Sequence, residues 1–286
     1  MNDKNRAEAA WPSDTGAALR QAAALLAPIS DTARLDAELL LAHALGIERD
    51  RLLLDPSRYQ TPAEFPALLQ RRLRQEPLAY ILGYRDFWTL RLAVGPGALI
   101  PRPDSETLIE ALLEEISDRQ APLRMLDLGT GPGTLLLAAL SEYPAATGLG
   151  VDASAAALAY AEENAAAAGL VDRAQFQIGD WGQGLSGPFD LILCNPPYIA
   201  ESENIMADVA DYEPASALFA GADGLSDYRL LMPQIDQLLS ETGIALLEIG
   251  STQYQPVAAM ARECGFAVQC YPDLGGRDRA VLLRRN

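Results

Sequence analysis

Asn195-Pro196-Pro197-Tyr198 is the stretch of this chain best suited to chemistry on a nitrogen. An amide nitrogen is a poor nucleophile because its lone pair is delocalised into the carbonyl. The side-chain oxygen of Asn195 can accept one N–H of a planar NH₂ group, and the backbone carbonyl of Pro196 can accept the other. Proline carries no N–H, so Pro196 and Pro197 make a stiff wall rich in acceptors. Two such bonds hold the NH₂ group and favour positive charge developing on its nitrogen. Tyr198 offers a ring to stack on a flat amide. The plain alternative is a rigid Pro-Pro turn with no ligand.

A second stretch supplies a cofactor loop: Leu126-Asp127-Leu128-Gly129-Thr130-Gly131-Pro132-Gly133-Thr134. Glycines between a strand and a helix let the backbone turn sharply and approach a ligand without a Cβ in the way. A tight turn without ligand is the plain reading here. A nucleoside-triphosphate loop requires Gly-Lys-Ser/Thr, and the lysine is missing. A dinucleotide would place its pyrophosphate on the helix N-terminus, which Pro132 partly deprives of donors. S-adenosylmethionine has no phosphate, and Asp127 suits its ammonium group. Asp152, ending Gly148-Leu-Gly-Val-Asp152, can accept from two ribose hydroxyls. Asp180 and Trp181, after the next strand, suit the amino group and the face of an adenine. Singly, Asp152 is also a helix cap and Trp181 also core packing; together they build one adenosine pocket.

The rest of the composition narrows the chemistry. Of 286 residues, Lys4 is the sole lysine and His43 the sole histidine. Schiff-base chemistry, Ser-His-Asp catalysis and histidine metal sites are thereby disfavoured. Cys194, Cys264 and Cys270 have no CxxC spacing, which suits buried free thiols in a reducing cytosol rather than disulfides or zinc. Net charge is −17, the opposite of a surface built to neutralise nucleic-acid phosphates. Arg71, Arg72 and Arg74 read as a solvated helix face. No apolar run is long enough to span a membrane, and the N-terminus has no signal-like core.

Four segments must position these residues. Residues 1–12 read as a loose tail. Residues 13–75 read as a helical domain: Leu19, Ala22, Ala23 and Leu26 recur at helical spacing, Asp31 is a candidate cap for a helix carrying Leu35, Leu39 and Leu40 that stops at Gly46, and Thr61-Pro62-Ala63-Glu64 has the form of a capping box. Residues 76–103 read as a joint, with a hairpin of Tyr84–Trp88 and Leu90–Val94 ended by Gly95-Pro96-Gly97. From 104 to 286 strands and helices alternate, the pattern of an α/β domain with a mostly parallel sheet that binds ligands at its strands' carboxyl ends. Expected strands are Leu123–Leu128, Thr147–Val151, Ala174–Ile178, Phe189–Cys194, Ile244–Ile249, Ala267–Tyr271 and Ala280–Leu283, with helices over 104–117, 133–142, 154–168, 226–240 and 252–264.

The set of motifs resembles the HemK family, the peptide chain release factor glutamine methyltransferases. The likeness covers most of the chain. It rests on Glu76-Pro-Leu-Ala-Tyr-Ile-Leu-Gly83, Phe87-Trp88, Leu99-Ile-Pro-Arg-Pro-Asp104, Asp127-Leu-Gly-Thr-Gly131, Asp180-Trp181, Asn195–Tyr198, Gly224-Leu-Ser-Asp227 and Asp273-Leu-Gly-Gly-Arg-Asp-Arg279. It implies a seven-stranded, Rossmann-like class I S-adenosylmethionine-dependent methyltransferase domain preceded by a small helical domain that recognises the substrate. It implies that Gly129, Thr130, Gly131, Pro132, Gly133, Asp152 and Trp181 bind the cofactor, beside Asp180 as read from the residues themselves, and that Asn195 faces both cofactor and substrate. It implies that Asn195–Tyr198 hold the glutamine of a Gly-Gly-Gln motif in a release factor, with Asn195, Pro196 and Tyr198 catalytic. Pro132 departs from the threonine often found there in the family; since backbone is what the loop uses, binding is expected to survive. A cytoplasmic monomer with no direct contact to nucleic acid or membrane is expected. The alternatives are a ribosomal-protein glutamine methyltransferase with the same motifs, an adenine amino-methyltransferase on DNA or RNA, and a non-catalytic cofactor-binding module.

Overall fold

The computed structural model describes residues 11–286. The tail expected over 1–12 therefore lies mostly outside the described residues, as does Lys4. The chain forms two compact units, one of the described residues up to Gly83 together with Ala207–Tyr212, the other of Tyr84–Met206 and Glu213–Asn286.

The smaller unit is helical: α1 (Thr15–Leu26), α2 (Ala33–Leu45), α3 (Arg49–Leu54), α4 (Phe65–Leu73) and α5 (Leu78–Leu82). Asp14 caps α1, its carboxylate accepting from the Ala17 N–H at 2.7 Å. Ala18, Leu19, Ala22 and Leu26 recur on one face and pack with Leu40, Leu41, Leu52, Phe65 and Leu69 into one core. α2 ends at Gly46, whose φ of +64° is the left-handed turn expected of a glycine stop.

Three local expectations need correcting here. α2 is preceded by Thr32 rather than Asp31, and Leu35 points outward. Thr61 caps no helix: its hydroxyl and its N–H both donate to the Ser13 carbonyl, at 3.4 and 3.0 Å, and α4 starts only at Phe65, with Pro66 in its first turn. Arg71 and Arg72 are not a solvated face. Arg72 is 8% exposed and donates to Asp36 at 2.9 Å, while Arg71 pairs with Glu76.

The expected joint over 76–103 divides at Gly83. Residues 76–83 fold with the helices, Ile81 entering their core. The hairpin of β1 (Tyr84–Phe87) and β2 (Leu90–Ala93) belongs to the larger unit, where Phe87 and Leu92 are buried.

The larger unit continues with α6 (Glu106–Glu115), β3 (Arg124–Leu128), α7 (Thr134–Glu142), β4 (Thr147–Asp152), α8 (Ala155–Ala167), β5 (Ala174–Ile178) and β6 (Phe189–Cys194). A short helix, α9 (Ala207–Tyr212), folds with the smaller unit, the Tyr212 hydroxyl donating to the Arg74 carbonyl at 3.0 Å. α10 (Ser226–Leu238), β7 (Leu239–Glu248), α11 (Tyr254–Glu263), β8 (Phe266–Pro272) and β9 (Asp278–Arg285) complete the chain.

The seven strands are ordered β5-β4-β3-β6-β7-β9-β8, parallel except for β9, which runs antiparallel to both neighbours. The two sheet faces carry separate cores, one around Leu136, Leu140 and Leu191, the other around Leu126, Ile192 and Leu231. That is why the central strands read as continuous apolar runs. After β3 the chain builds outward to β5 and then returns to lay β6 on the other side of β3. The reversal opens a crevice at the carboxyl ends of β3 and β6, the place where such sheets bind ligands.

Candidate active site

The glycine loop follows β3 directly. Gly129, Gly131 and Gly133 have φ of +72°, +56° and +83°, a conformation that side chains rarely adopt. At Gly129 a Cβ would also come within 3.0 Å of the Trp181 ring. The loop's own N–H groups are spoken for. Gly129 and Thr130 donate to the Val151 carbonyl at 2.9 and 3.0 Å, Gly131 donates to Asp152 at 2.8 Å, Gly133 donates to the Thr130 carbonyl, and Pro132 has none. Within the loop itself a phosphate would find few free donors, which weakens the dinucleotide reading.

A cavity of about 390 Å³ runs from this loop to the Asn-Pro-Pro-Tyr stretch, lined wholly by the larger unit. It brings together Gly129, Thr130, Gly131, Pro132, Asp152, Asp180, Trp181, Asn195 and Pro197. Gly133 sits behind the lining, as do Pro196, which is buried, and Tyr198. Asp127, Asp152, Asp180 and Asp227 surround the space, with Arg102 as the cation on its wall. Arg102 is tied to buried Glu213 at 2.5 Å, and Glu213 also accepts from the Ile100 N–H at 3.0 Å.

The carboxylates are unequal. Asp127 is 1% exposed; its Oδ2 accepts from the Thr130 hydroxyl at 2.7 Å and the Leu136 N–H at 3.2 Å, while its Oδ1 accepts nothing from the described residues. Burial pushes its carboxyl from 3.8 up to about 7, with Asp152 adding to the rise. A buried carboxylate oxygen without a partner, on a wall of the cavity, fits a cationic ligand. Asp152 is half-buried and accepts from the Gly131 and Ser154 N–H groups at 2.8 Å each. Asp180 is exposed and held by Gln183. Burial, then the charge of Asp180, raises the carboxyl of Asp227.

Behind Asn195 stands a group that sequence reading missed. Glu248, the last residue of β7, is 1% exposed. It accepts from the Ser105 hydroxyl at 2.5 Å and from the Tyr198 hydroxyl at 3.3 Å, and its backbone carbonyl accepts from the Tyr228 hydroxyl at 2.7 Å. Asn195 Nδ2 donates to Ser105 at 3.2 Å. Burial raises the Glu248 carboxyl; the Ser105 hydrogen bond and the charge of Arg279 pull it down. Burial first, then Glu248, pushes the Tyr198 hydroxyl far above its usual range, so Tyr198 stays a donor. The signal was present: a lone acid ends the apolar run Ile244-Ala-Leu-Leu-Glu248.

A model of the PrmC N-terminal domain matches residues 17–83, and a methyltransferase domain model matches 120–272. The release factor glutamine methyltransferase of Rhodospirillum rubrum is 44% identical over 258 residues, covering 88% of this chain and 79% of the relative. The chain belongs to the release factor glutamine methyltransferase family. The member from Caulobacter vibrioides is 42% identical over 90% of this chain and 91% of its own length. Among solved structures, the 16S rRNA N2 G1207 methyltransferase of T. thermophilus aligns with a TM-score of 0.51 at 20% identity, over 71% of this chain and 50% of that one. At that identity the likeness is one of fold. The N-terminal domain shared with the family ends at Gly83, the residue at which the two compact units part.

Proposed function

We propose that this family member transfers the methyl group of S-adenosylmethionine to the side-chain amide nitrogen of the glutamine in the Gly-Gly-Gln motif of peptide chain release factors. The observation that carries the reading is the one cavity that joins a carboxylate-lined glycine loop, its own N–H groups turned inward, to Asn195. A cofactor with an adenosine, an ammonium and a sulfonium fits such a wall. When bound, it supplies an activated methyl group, so the chain's task is alignment and charge. Asp152 holds the ribose, Asp180 and Trp181 the adenine, and Asp127 the ammonium. Gly129–Gly133 provide close backbone approach. Asn195 Oδ1 and the Pro196 carbonyl accept the two amide hydrogens, and Pro197 and Tyr198 confine the amide plane. The helical unit serves recognition of the protein substrate, and the enzyme works as a cytoplasmic monomer without nucleic acid.

The test is methyl transfer from labelled S-adenosylmethionine, with intact release factor, its Gln→Ala variant in the Gly-Gly-Gln motif, bulk ribosomal protein and nucleic acid offered side by side. Label on the intact factor alone is the expected result. Label on the ribosomal fraction alone points to the sister activity, and label on nucleic acid alone to adenine.

A further inference from the structure

An asparagine amide is nearly symmetric in shape, so packing alone does not decide which end faces a substrate; hydrogen-bond partners do. Asn195 must present its oxygen, because an amide NH₂ needs acceptors. β6 and β7 are parallel neighbours with Cys194 opposite Leu247, so the next residues, Asn195 and Glu248, emerge side by side at the carboxyl edge. Ser105, just before α6, stands between them: its oxygen is 3.2 Å from Asn195 Nδ2 and 2.5 Å from Glu248 Oε2.

With Glu248 ionised, the form favoured by the charge of Arg279 and by the two hydroxyls it accepts from, proton counting sets the direction of this chain. An ionised carboxylate only accepts. Ser105 has one proton and gives it to Glu248. Toward Asn195 the hydroxyl oxygen is then left only as an acceptor, so Asn195 must turn its NH₂ to Ser105 and its Oδ1 away. The other oxygen of Glu248 accepts from Tyr198, so one buried carboxylate holds both ends of the tetrapeptide.

We infer that Ser105 and Glu248 are positioning residues that set the orientation of the Asn195 amide and thereby present its oxygen to the substrate NH₂ group. This rests on the reading of Asn195 as the amide acceptor. Ser105 is on the cavity wall beside Asn195, and Glu248 is outside the lining, so both are read as acting through the Asn195 amide. Glu248→Gln is the informative variant because it keeps the shape but can reverse the relay. Its amide donates to Ser105, the Ser105 proton turns toward Asn195, and the Asn195 amide flips.

The experiment measures kcat, cofactor Kd by calorimetry and Tm for the full chain, using release factor as substrate. Ser105→Ala and Glu248→Gln are each expected to lower kcat about tenfold, the worth of one lost or inverted hydrogen bond, while Kd and Tm hold. Placed in an Asn195→Ala background, either substitution is expected to cost nothing further, since no amide remains to orient. A full additional loss in that background, or Kd rising and Tm falling as kcat drops, assigns both residues a merely structural role and overturns the inference. If Asn195→Ala lowers kcat but Ser105→Ala and Glu248→Gln do not, the inference fails and the amide-acceptor reading stands. If Asn195→Ala keeps full turnover, both fall.

Discussion

Asp127→Asn tests the electrostatics of the cofactor wall. In the chain without ligand, Asp127 holds its proton up to about pH 7, whereas the unfolded chain releases it near 3.8. The folded state therefore binds more protons between those values, and its stability falls as pH rises through them. Between pH 5 and pH 7 the loss amounts to about 2 kcal/mol, the slope of roughly 1.4 kcal/mol per pH unit halving as pH reaches 7. Both hydrogen bonds to the carboxylate reach Oδ2, so an amide oxygen can take that place and keep them. Urea unfolding at pH 5, 6, 7 and 8, without cofactor, should show the wild-type chain losing this stability and the variant keeping it. Calorimetry at pH 6 should also show wild-type chain releasing close to one proton on binding S-adenosylmethionine, and the variant none. Parallel stability curves for the two proteins would mean that Asp127 is ionised throughout and the account is wrong.

Asp152→Ala removes the acceptor for the Gly131 and Ser154 N–H groups and the proposed ribose contact; cofactor Kd is expected to rise about 10- to 100-fold with circular dichroism unchanged, and an unchanged Kd would take Asp152 out of the site. Asn195→Ala is expected to lower turnover about 100-fold or more while cofactor Kd moves only a few-fold; equal losses in both would make Asn195 chiefly a cofactor ligand. In the helical unit, Arg72→Met leaves Asp36, 3% exposed, without its guanidinium and should cost about 3 kcal/mol in thermal unfolding, with stability recovered in an Asp36→Leu, Arg72→Met double variant.

The readable parts of this molecule were those whose chemistry is local. The alternation of strands and helices, the stop at Gly46, the hairpin around Trp88 and the two chemical stretches each occupy a short run, and the strand ends fell within a few residues except at β7, which begins at Leu239 rather than Ile244. The helix expected over 226–240 thus runs two residues into β7. What stayed hidden depended on partners far away in the chain. Ser105 and Glu248 are 143 residues apart, and Ile100 and Glu213 are 113 apart, so neither pairing leaves a spacing to read. Thr61 misled for the same reason: a local capping signal lost to a carbonyl 48 residues earlier. Arg72 looked like surface because an arginine run is usually solvated, and only the fold shows Asp36 waiting beneath it.

The inward-turned N–H groups of Gly129, Thr130, Gly131 and Gly133 bear on selectivity in a crowded cell. Adenosine is the handle shared by nucleotides that are far more abundant than any methyl donor. A loop that greeted phosphates would spend most of its time occupied by the wrong adenosine compound. Here the same turn that shapes the pocket keeps these four N–H groups for itself, and the surrounding carboxylates repel a triphosphate's charge. Discrimination against ATP is thus favoured by the loop backbone and the carboxylates around it, so that millimolar ATP should leave the apparent affinity for S-adenosylmethionine where it was.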